Sequence, residues 1–154
     1  MPRRDPLKIQ IRSASPDDAP QLAELAEQLG YTVPVDVMRS RVDEVIRDTA
    51  RQIVVAVHES RVVAWMELGV VHAIESGTWG EIRGLVVDEA VRSHGVGEAM
   101  TQEALRWAGT HGLPKIRVRT NETRGRTHAF YAKCGFTHVK SQRVFEIPVD
   151  LANS

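Results

Sequence analysis

The pattern of apolar and polar positions predicts alternating strands and helices along the chain. Residues 9–11 alternate in polarity, as in a short strand. Ser15, Pro16 and two acids then mark a helix start, and an apolar stripe carries that helix to Gly30. A second stripe predicts another helix over residues 35–48.

The rest of the chain alternates between β-branched runs and further helical stripes. It predicts three strands in succession, then helix, strand, helix and two short tail strands, over residues 52–57, 61–71, 79–88, 96–111, 115–120, 126–133 and 136–149. Polar residues 72–78 are predicted to form a loop. The order β-α-α-β-β-β-α-β-α-β-β favours an α/β (α+β) fold, in which helices cover both faces of one mixed sheet.

Length and charge narrow the class of protein. The 154 residues fit a single domain over residues 1–154, with its core at about 8–149. Twenty basic and twenty acidic side chains cancel, which argues against a nucleic-acid or membrane-surface partner. No apolar stretch follows Arg3 and Arg4, so no secretory signal is expected. A cytoplasmic protein is the simplest interpretation.

Cysteine and histidine content argues against disulfide and metal chemistry. Cys134 is the only cysteine, so no internal disulfide is possible. No His-Asp pattern accompanies it, which disfavours a nucleophilic role for its thiol. The six histidines show no metal-ligand spacing, and no metal site is predicted.

The segment before the third predicted helix has the composition of an anion site. It reads Arg92-Ser93-His94-Gly95-Val96-Gly97. A helix N-terminus offers free N–H groups, glycine allows a close backbone approach, and arginine adds a permanent charge. Pyrophosphate binding is therefore predicted, against the alternative of a plain tight turn. A P-loop is absent, and Met100 stands where a dinucleotide fingerprint needs its third glycine.

Two segments together resemble the GNAT acetyltransferases. Leu85-Val86-Val87, followed by residues 92–97, resembles the family's R-x-x-G-x-G/A motif. Asn121, followed by Ala129-Phe130-Tyr131-Ala132-Lys133-Cys134-Gly135-Phe136, resembles its N…fYeklGF segment. Their order and separation also match, and the resemblance covers the chain from about Ile9 onward.

The resemblance implies a binding mode for acetyl-CoA, the co-substrate of this family. Backbone groups of Leu85, Val86 and Val87 would bind the pantetheine arm in an opening between the fourth and fifth strands. The amides of the 92–97 segment would hold the pyrophosphate, namely those of Arg92, Ser93, His94, Gly95, Val96 and Gly97. Asn121 would contact the pantetheine, and Tyr131 would approach the thioester sulfur.

Two positions depart from the family pattern. Arg124 stands where a second asparagine is common, and Thr127 stands where an alanine is common. Residues 128–131 resemble a frequent variant, so binding of the cofactor is still expected. A contact between Arg124 and the cofactor stays open.

The resemblance further implies transfer of the acetyl group to a primary amine by direct attack within a ternary complex. Tyr131 would donate a proton to the leaving thiolate, and a backbone N–H near Val87 would polarise the thioester carbonyl. Glu81 is the candidate base, directly or through water, and the alternative is a strand residue paired with Arg83. His72 and Glu75 are weaker candidates for the base.

In GNAT folds the acceptor site is built by the first two helices and the loop before the fourth strand, here residues 29–38 and 72–79. Acidic side chains could attract an amine, and aromatic side chains could hold a cation; the residues concerned are Tyr31, Trp65, Glu75 and Trp79. Both small-molecule and peptide amines are open as acceptors.

Three questions stay open beside this hypothesis. The chain could be a catalytically silent acetyl-CoA sensor or subunit, which would keep the phosphate loop and lose turnover. It could also be a toxin-type acetyltransferase acting on aminoacyl-tRNA, although its neutral charge disfavours that. Homodimers are common in the family, and the tail could mediate one.

Overall fold

A computed structural model describes residues 5–152 of the chain. The chain forms two compact units, Met1–Arg119 and Thr120–Ser154. The prediction about Arg3 and Arg4 lies outside the described residues. No helix within the described range is both long and apolar enough to cross a membrane.

The described part of the first unit contains five strands and three helices, and this confirms a mixed α/β fold. The strands are β1 (Gln10–Ser13), β2 (Arg51–His58), β3 (Arg61–Ala73), β4 (Gly77–Val87) and β5 (Ile116–Val118). The helices are α1 (Ala19–Glu27), α2 (Val35–Ile46) and α3 (Val96–Thr110).

The strands lie across one sheet in the order of the chain, β1-β2-β3-β4-β5. The first four strands pair antiparallel. β5 pairs parallel to β4, and this pairing joins residues 80–82 to residues 116–118 only. The last strand therefore covers just a short stretch of its neighbour.

A β-bulge interrupts the pairing of β3 with β4. Gly69 lies opposite Glu81 and Glu67 lies opposite Gly84, so Arg83 is the extra residue of β4. Because Glu67 and Gly69 point to one face of β3, Glu81 and Gly84 share that face too. The regular alternation of side chains along β4 is therefore interrupted at Arg83.

Helices cover both faces of the sheet. On one face α1 and α2 enclose a core with the strands, formed by Leu22, Leu25, Val42, Val55 and Val86. On the other face α3 lies so close to β4 that a Cβ at Gly80 would come within 2.8 Å of the Trp107 ring. Apolar stripes on the helices match these two faces.

The segment predicted as a loop before the fourth strand is instead a hairpin end. β3 continues to Ala73 and β4 begins at Gly77, so residues 72–78 belong mainly to paired strands. His72 lies opposite Thr78, and its Nδ1 is 3.0 Å from the Thr78 hydroxyl. His72 is exposed and Thr78 is only half-buried, so burial imposes no apolar alternation on this end of the hairpin.

The second unit contains α4 (Gly125–Lys133) and an extended tail. The structure forms neither of the two strands predicted for residues 136–149. Alternating apolar side chains of the tail are between 70% and 90% exposed, namely Val139, Val144, Phe145, Ile147, Val149 and Leu151. A two-stranded hairpin without a further partner is marginal in water, which accounts for the failed prediction.

Candidate active site

The connection between β4 and α3 ends in an uncapped helix N-terminus. Ser93 and Gly95 both have left-handed backbone angles, with φ of 72° and 81°. Gly95 directly precedes α3 as its N-cap residue and makes no side-chain cap to the first turn. The N–H groups of this turn can therefore bind an anion. Arg92 lies just before the turn, with its guanidinium 3.7 Å from the Glu89 carboxylate.

Asp88 fixes the start of this connection and was not identified from the sequence. Its buried carboxylate accepts hydrogen bonds from the Ala90 N–H at 3.1 Å and from Arg61 Nη2 at 3.2 Å. Gln28 also donates to Asp88, at 3.3 Å, and accepts from the Glu89 N–H at 3.0 Å. An acid directly after an apolar strand and before a turn was the available signal.

His94 contacts the N-terminal segment of the chain. Its Nδ1 lies 2.6 Å from the carbonyl oxygen of Asp5, and because a carbonyl can only accept, this nitrogen carries the proton. The His94 carbonyl in turn accepts from the Leu7 N–H at 3.3 Å. The side chain is thus engaged by protein, and an anion would meet His94 through its backbone.

The end of β4 has one free edge. Residues 84–87 pair with β3, while β5 pairs only with residues 80–82. Within residues 5–152 no other strand lies along that second edge. We call residues 84–87 the open half of β4 and residues 80–82 the sealed half. An extended ligand can add to such an edge as a further strand.

Main-chain direction in the open half follows from one hydrogen bond. The Asp88 N–H donates to the Val63 carbonyl of β3 at 2.8 Å. Because main-chain groups of an antiparallel strand alternate between its edges, Val86 also faces β3. Leu85 and Val87 face the free edge. At two of the three positions predicted to hold the pantetheine arm, the main-chain N–H and C=O groups therefore point toward the free edge.

Glu81, the predicted base, lies in the sealed half. It is buried, and its Oε1 accepts a hydrogen bond from Arg119 Nε at 3.1 Å. The alternative pairing with Arg83 is not formed, because the Arg83 side chain lies across Gly69 of β3. Arg119 was not identified from the sequence as a partner.

A cavity of about 300 Å³ lies between α1, α2 and strands β2 to β4. We call it the α2 cavity. Its lining includes apolar side chains of the helices, the aromatic side chains Tyr31 and Trp65, and five charged side chains, Arg41, Glu44, Arg51, Glu67 and Arg83. It also reaches Gly84, the first residue of the open half.

Only part of the predicted acceptor site lines this cavity. Tyr31 and Trp65 do so, whereas Trp79 is buried elsewhere, with Arg117 4.4 Å and Lys115 5.4 Å from its ring. Glu75 lies in the turn of the 72–78 hairpin and does not line the cavity. The charged residues of β2 and β3 were missed, although charges inside apolar strands were a visible signal.

In the second unit Asn121 shapes the turn before α4. Its side-chain oxygen accepts from the backbone N–H and the hydroxyl of Thr123, at 3.1 and 2.9 Å. Its carbonyl accepts from the Arg124 N–H at 3.0 Å and from His128 Nε2 at 2.9 Å. These hydrogen bonds stabilise the turn before α4. The contact of Asn121 with pantetheine stays a prediction.

Tyr131 of α4 is buried in an aromatic cluster. Its ring packs edge-on against Phe130 and Phe136, with centroids 5.1 and 5.3 Å apart. Burial raises the pKa of Tyr131 to about 12, and nearby Cys134 adds to the shift. The hydroxyl therefore keeps its proton at neutral pH and can act as a donor. The Cys134 side chain is half-buried and takes part in no disulfide.

A free strand edge that leads to an uncapped helix N-terminus suits an extended ligand with an anionic end. A family model described as Acetyltransferase (GNAT) family matches residues 19–136, well over half of the chain. The chain belongs to the GNAT acetyltransferase family. The resemblance carried by the two sequence motifs is thereby confirmed.

Relatives of this GNAT protein include known acetyltransferases. An amino-acid acetyltransferase of Mycobacterium tuberculosis (strain ATCC 25618 / H37Rv) is 28% identical over 134 residues, 87% of this chain and 71% of that protein. An aminoglycoside N-acetyltransferase solved in complex with CoA superimposes with a TM-score of 0.83 at 16% identity, covering 97% of this chain and 99% of that one. Glucosamine-6-phosphate N-acetyltransferase from Arabidopsis thaliana gives 0.79 at 21% identity, covering 92% and 99%. The two structures show the fold.

Proposed function

We propose that this GNAT protein is an N-acetyltransferase that uses acetyl-CoA as co-substrate and a primary amine as acceptor. The free edge of the open half, which leads to the uncapped start of α3, carries the proposal. The residues present fit acetyl-CoA. Outward main-chain groups at Leu85 and Val87 suit the amide-rich pantetheine arm. Arg92 and the N–H groups of residues 95–97 suit its pyrophosphate.

Acetyl-CoA supplies the activated acetyl group, and three residues of this chain would assist its transfer. The Val87 N–H faces the free edge and would stabilise the negative charge that develops on the thioester oxygen. Tyr131, which is protonated at neutral pH, would donate its proton to the leaving thiolate. Glu81 would accept the proton of the attacking amine, directly or through water. The role of Tyr131 rests on the sequence motif.

The α2 cavity is the proposed acceptor site. It reaches Gly84, so an amine held there would lie beside the start of the open half. Its volume of about 300 Å³ suits a small molecule. The activities of the relatives, on an amino acid, an aminoglycoside and an amino sugar phosphate, also support a small-molecule acceptor.

Calorimetric titration with acetyl-CoA tests the proposal. Gly97→Glu puts bulk and negative charge at the proposed pyrophosphate site, so we expect its affinity to fall at least about 100-fold. Gly109→Glu is the matched control, because it makes the same change near the other end of α3, where a side chain meets open space. Its affinity should equal that of the parent.

Two results would contradict the proposal. Failure of the parent to bind acetyl-CoA would remove the cofactor site. Equal affinities of the two folded glycine variants would move that site away from α3. Binding without turnover of any amine would favour the silent sensor over an enzyme.

A further inference from the structure

The charged residues of the α2 cavity are not balanced. Arg51 and Glu67 form an ion pair at 2.9 Å and neutralise each other. Arg41 and Arg83 form no ion pair with any carboxylate among residues 5–152, although both line the cavity. Glu44 is the only other lining acid. The cavity wall therefore carries an excess of positive charge.

The backbone holds Arg83 at the cavity. As the extra residue of the bulge it is freed from the strict alternation of β4. Its side chain then crosses β3 at Gly69, where a Cβ would lie only 2.5 Å from Arg83 Nε. Glycine at position 69 thus gives the guanidinium room to lie along the sheet. Arg41 reaches the same cavity from α2.

Guanidinium groups recognise anions specifically. Arginine offers a rigid fork of N–H donors that matches carboxylate and phosphate oxygens, and it stays charged at every working pH. An acceptor with several positive charges would face two arginines that form no ion pair within residues 5–152. Such repulsion selects against that class of acceptor as much as attraction selects for an anion.

We propose that the α2 cavity selects amines that also carry an anionic group, a carboxylate or a phosphate, and that Arg41 and Arg83 bind this group. The inference rests on the proposed function, because it concerns the acceptor of the same reaction. It assigns Arg41 and Arg83 as specificity-determining residues. Polyamines and aminoglycosides are accordingly poor acceptors.

Matched pairs of amines test the proposal through kcat/KM, measured by release of the CoA thiol. Leucine is compared with 3-methylbutylamine, lysine with 1,5-diaminopentane, and glucosamine 6-phosphate with glucosamine. We expect the anionic member of at least one pair to be preferred by about 10- to 100-fold, as charge-assisted hydrogen bonds of this kind provide. The first two pairs test for a carboxylate and the third for a phosphate. Preference throughout for the members that lack an anionic group would overturn the proposal.

Variants test which residues bind the anionic group of the acceptor. Arg83→Gln and Arg41→Gln should raise the KM of the preferred anionic amine and leave the KM of its partner without an anionic group unaffected. Gly69→Ala should act like Arg83→Gln, because the new methyl group displaces the guanidinium. Arg39→Gln, an exposed arginine of α2 outside the cavity, is the control and should change neither. Equal losses for both members of a pair would overturn the assignment.

Thermal unfolding separates this proposal from the proposed function. The preferred anionic amine should raise the Tm of the parent and not that of Arg83→Gln, whether or not turnover occurs. If acetyl-CoA binds and no anionic amine stabilises the parent or is turned over, the proposed cofactor site stands and the anion site is wrong. If anionic amines stabilise the parent and acetyl-CoA does not bind, the anion site stands and the proposed cofactor site is wrong.

Discussion

The two halves of β4 have the same neighbour on one side and different surroundings on the other. The sealed half pairs with β3 and β5, and its Gly80 is enclosed by the side chains of Trp107, Leu113 and Ile116. The open half pairs with β3 alone. A Cβ placed at its Gly84 would meet only the Trp65 ring within 4 Å.

The difference shows that one strand can be paired on both edges over part of its length and on one edge over the rest. The bulge at Arg83 falls between the two halves, just where the pairing with β5 ends. Before that point both edges of β4 are paired. Beyond it the main-chain groups of Leu85 and Val87 face an edge that no other strand of residues 5–152 covers.

The proposed role of the open half is tested most directly by a substitution at Val87. Val87→Pro removes an N–H that faces the free edge, so the ladder with β3 is retained. We expect kcat to fall by about 100- to 1,000-fold, the usual effect of removing one oxyanion donor. Steady-state release of the CoA thiol measures this, and circular dichroism checks the fold.

Leu85→Pro is the comparison for Val87→Pro. It removes the other outward N–H, which we assign to the pantetheine arm, so the KM for acetyl-CoA should rise more than kcat falls. A folded Val87→Pro variant with unchanged kcat would show that its N–H does not stabilise the oxyanion.

Tyr131, which lies in α4 outside the sheet, tests the proposed protonation of the leaving thiolate. Tyr131→Phe should lower kcat about 100-fold through loss of the proton donor, while the Kd of acetyl-CoA stays constant. A parent-like kcat would assign the leaving-group proton to water instead.

The raised pKa of Tyr131 also predicts a pH effect on stability. Folding keeps on the phenol a proton that the unfolded chain loses at its ordinary pKa of about 10. The stability that this residue contributes is complete below about pH 10 and is lost as the pH rises to about 12. Urea unfolding at rising pH should show a steeper loss for the parent than for Tyr131→Phe. Parallel curves would contradict the burial of the hydroxyl.

The smallest expected effect compares packing in the two halves. Gly80→Ala places a methyl group 2.8 Å from Ile116 and from Trp107, and such overpacking costs about 1–3 kcal/mol, or a Tm lower by about 3–10 °C. In Gly84→Ala the methyl group lies 3.2 Å from Trp65, which must move by only a few tenths of an ångström. Calorimetry should show a change within about 2 °C for this variant. Equal losses would mean that both halves are packed alike.

Much of this architecture could be predicted because it depends on the period of the apolar residues and on the positions of glycines in the sequence. The helix predicted over residues 96–111 occurs as Val96–Thr110, and the glycines before it pointed to a tight approach to its N-terminus. The GNAT resemblance followed from the same segment and from the one around Tyr131. Those features depend on residues that are neighbours in the chain.

The missed features depend on residues that are far apart in the chain. The bulge at Arg83 is defined only by the register of β3 against β4. The charge excess of the α2 cavity arises because α2 and β4 bring Arg41 and Arg83 to one place. Polar pairing in the 72–78 hairpin was hidden because exposed strand ends carry no apolar alternation.

The strand order β1-β2-β3-β4-β5 has a consequence for the entropy of folding. β2, β3 and β4 are joined by short turns, so most of the sheet forms from contacts between residues close in sequence. Closing such short loops restricts the chain little and favours fast assembly. Two strands need a long connection to their partner in the sheet: β1 reaches β2 through α1 and α2, and the parallel strand β5 follows β4 through α3. One of these two slower closures occurs beside the edge that the ligand is proposed to occupy.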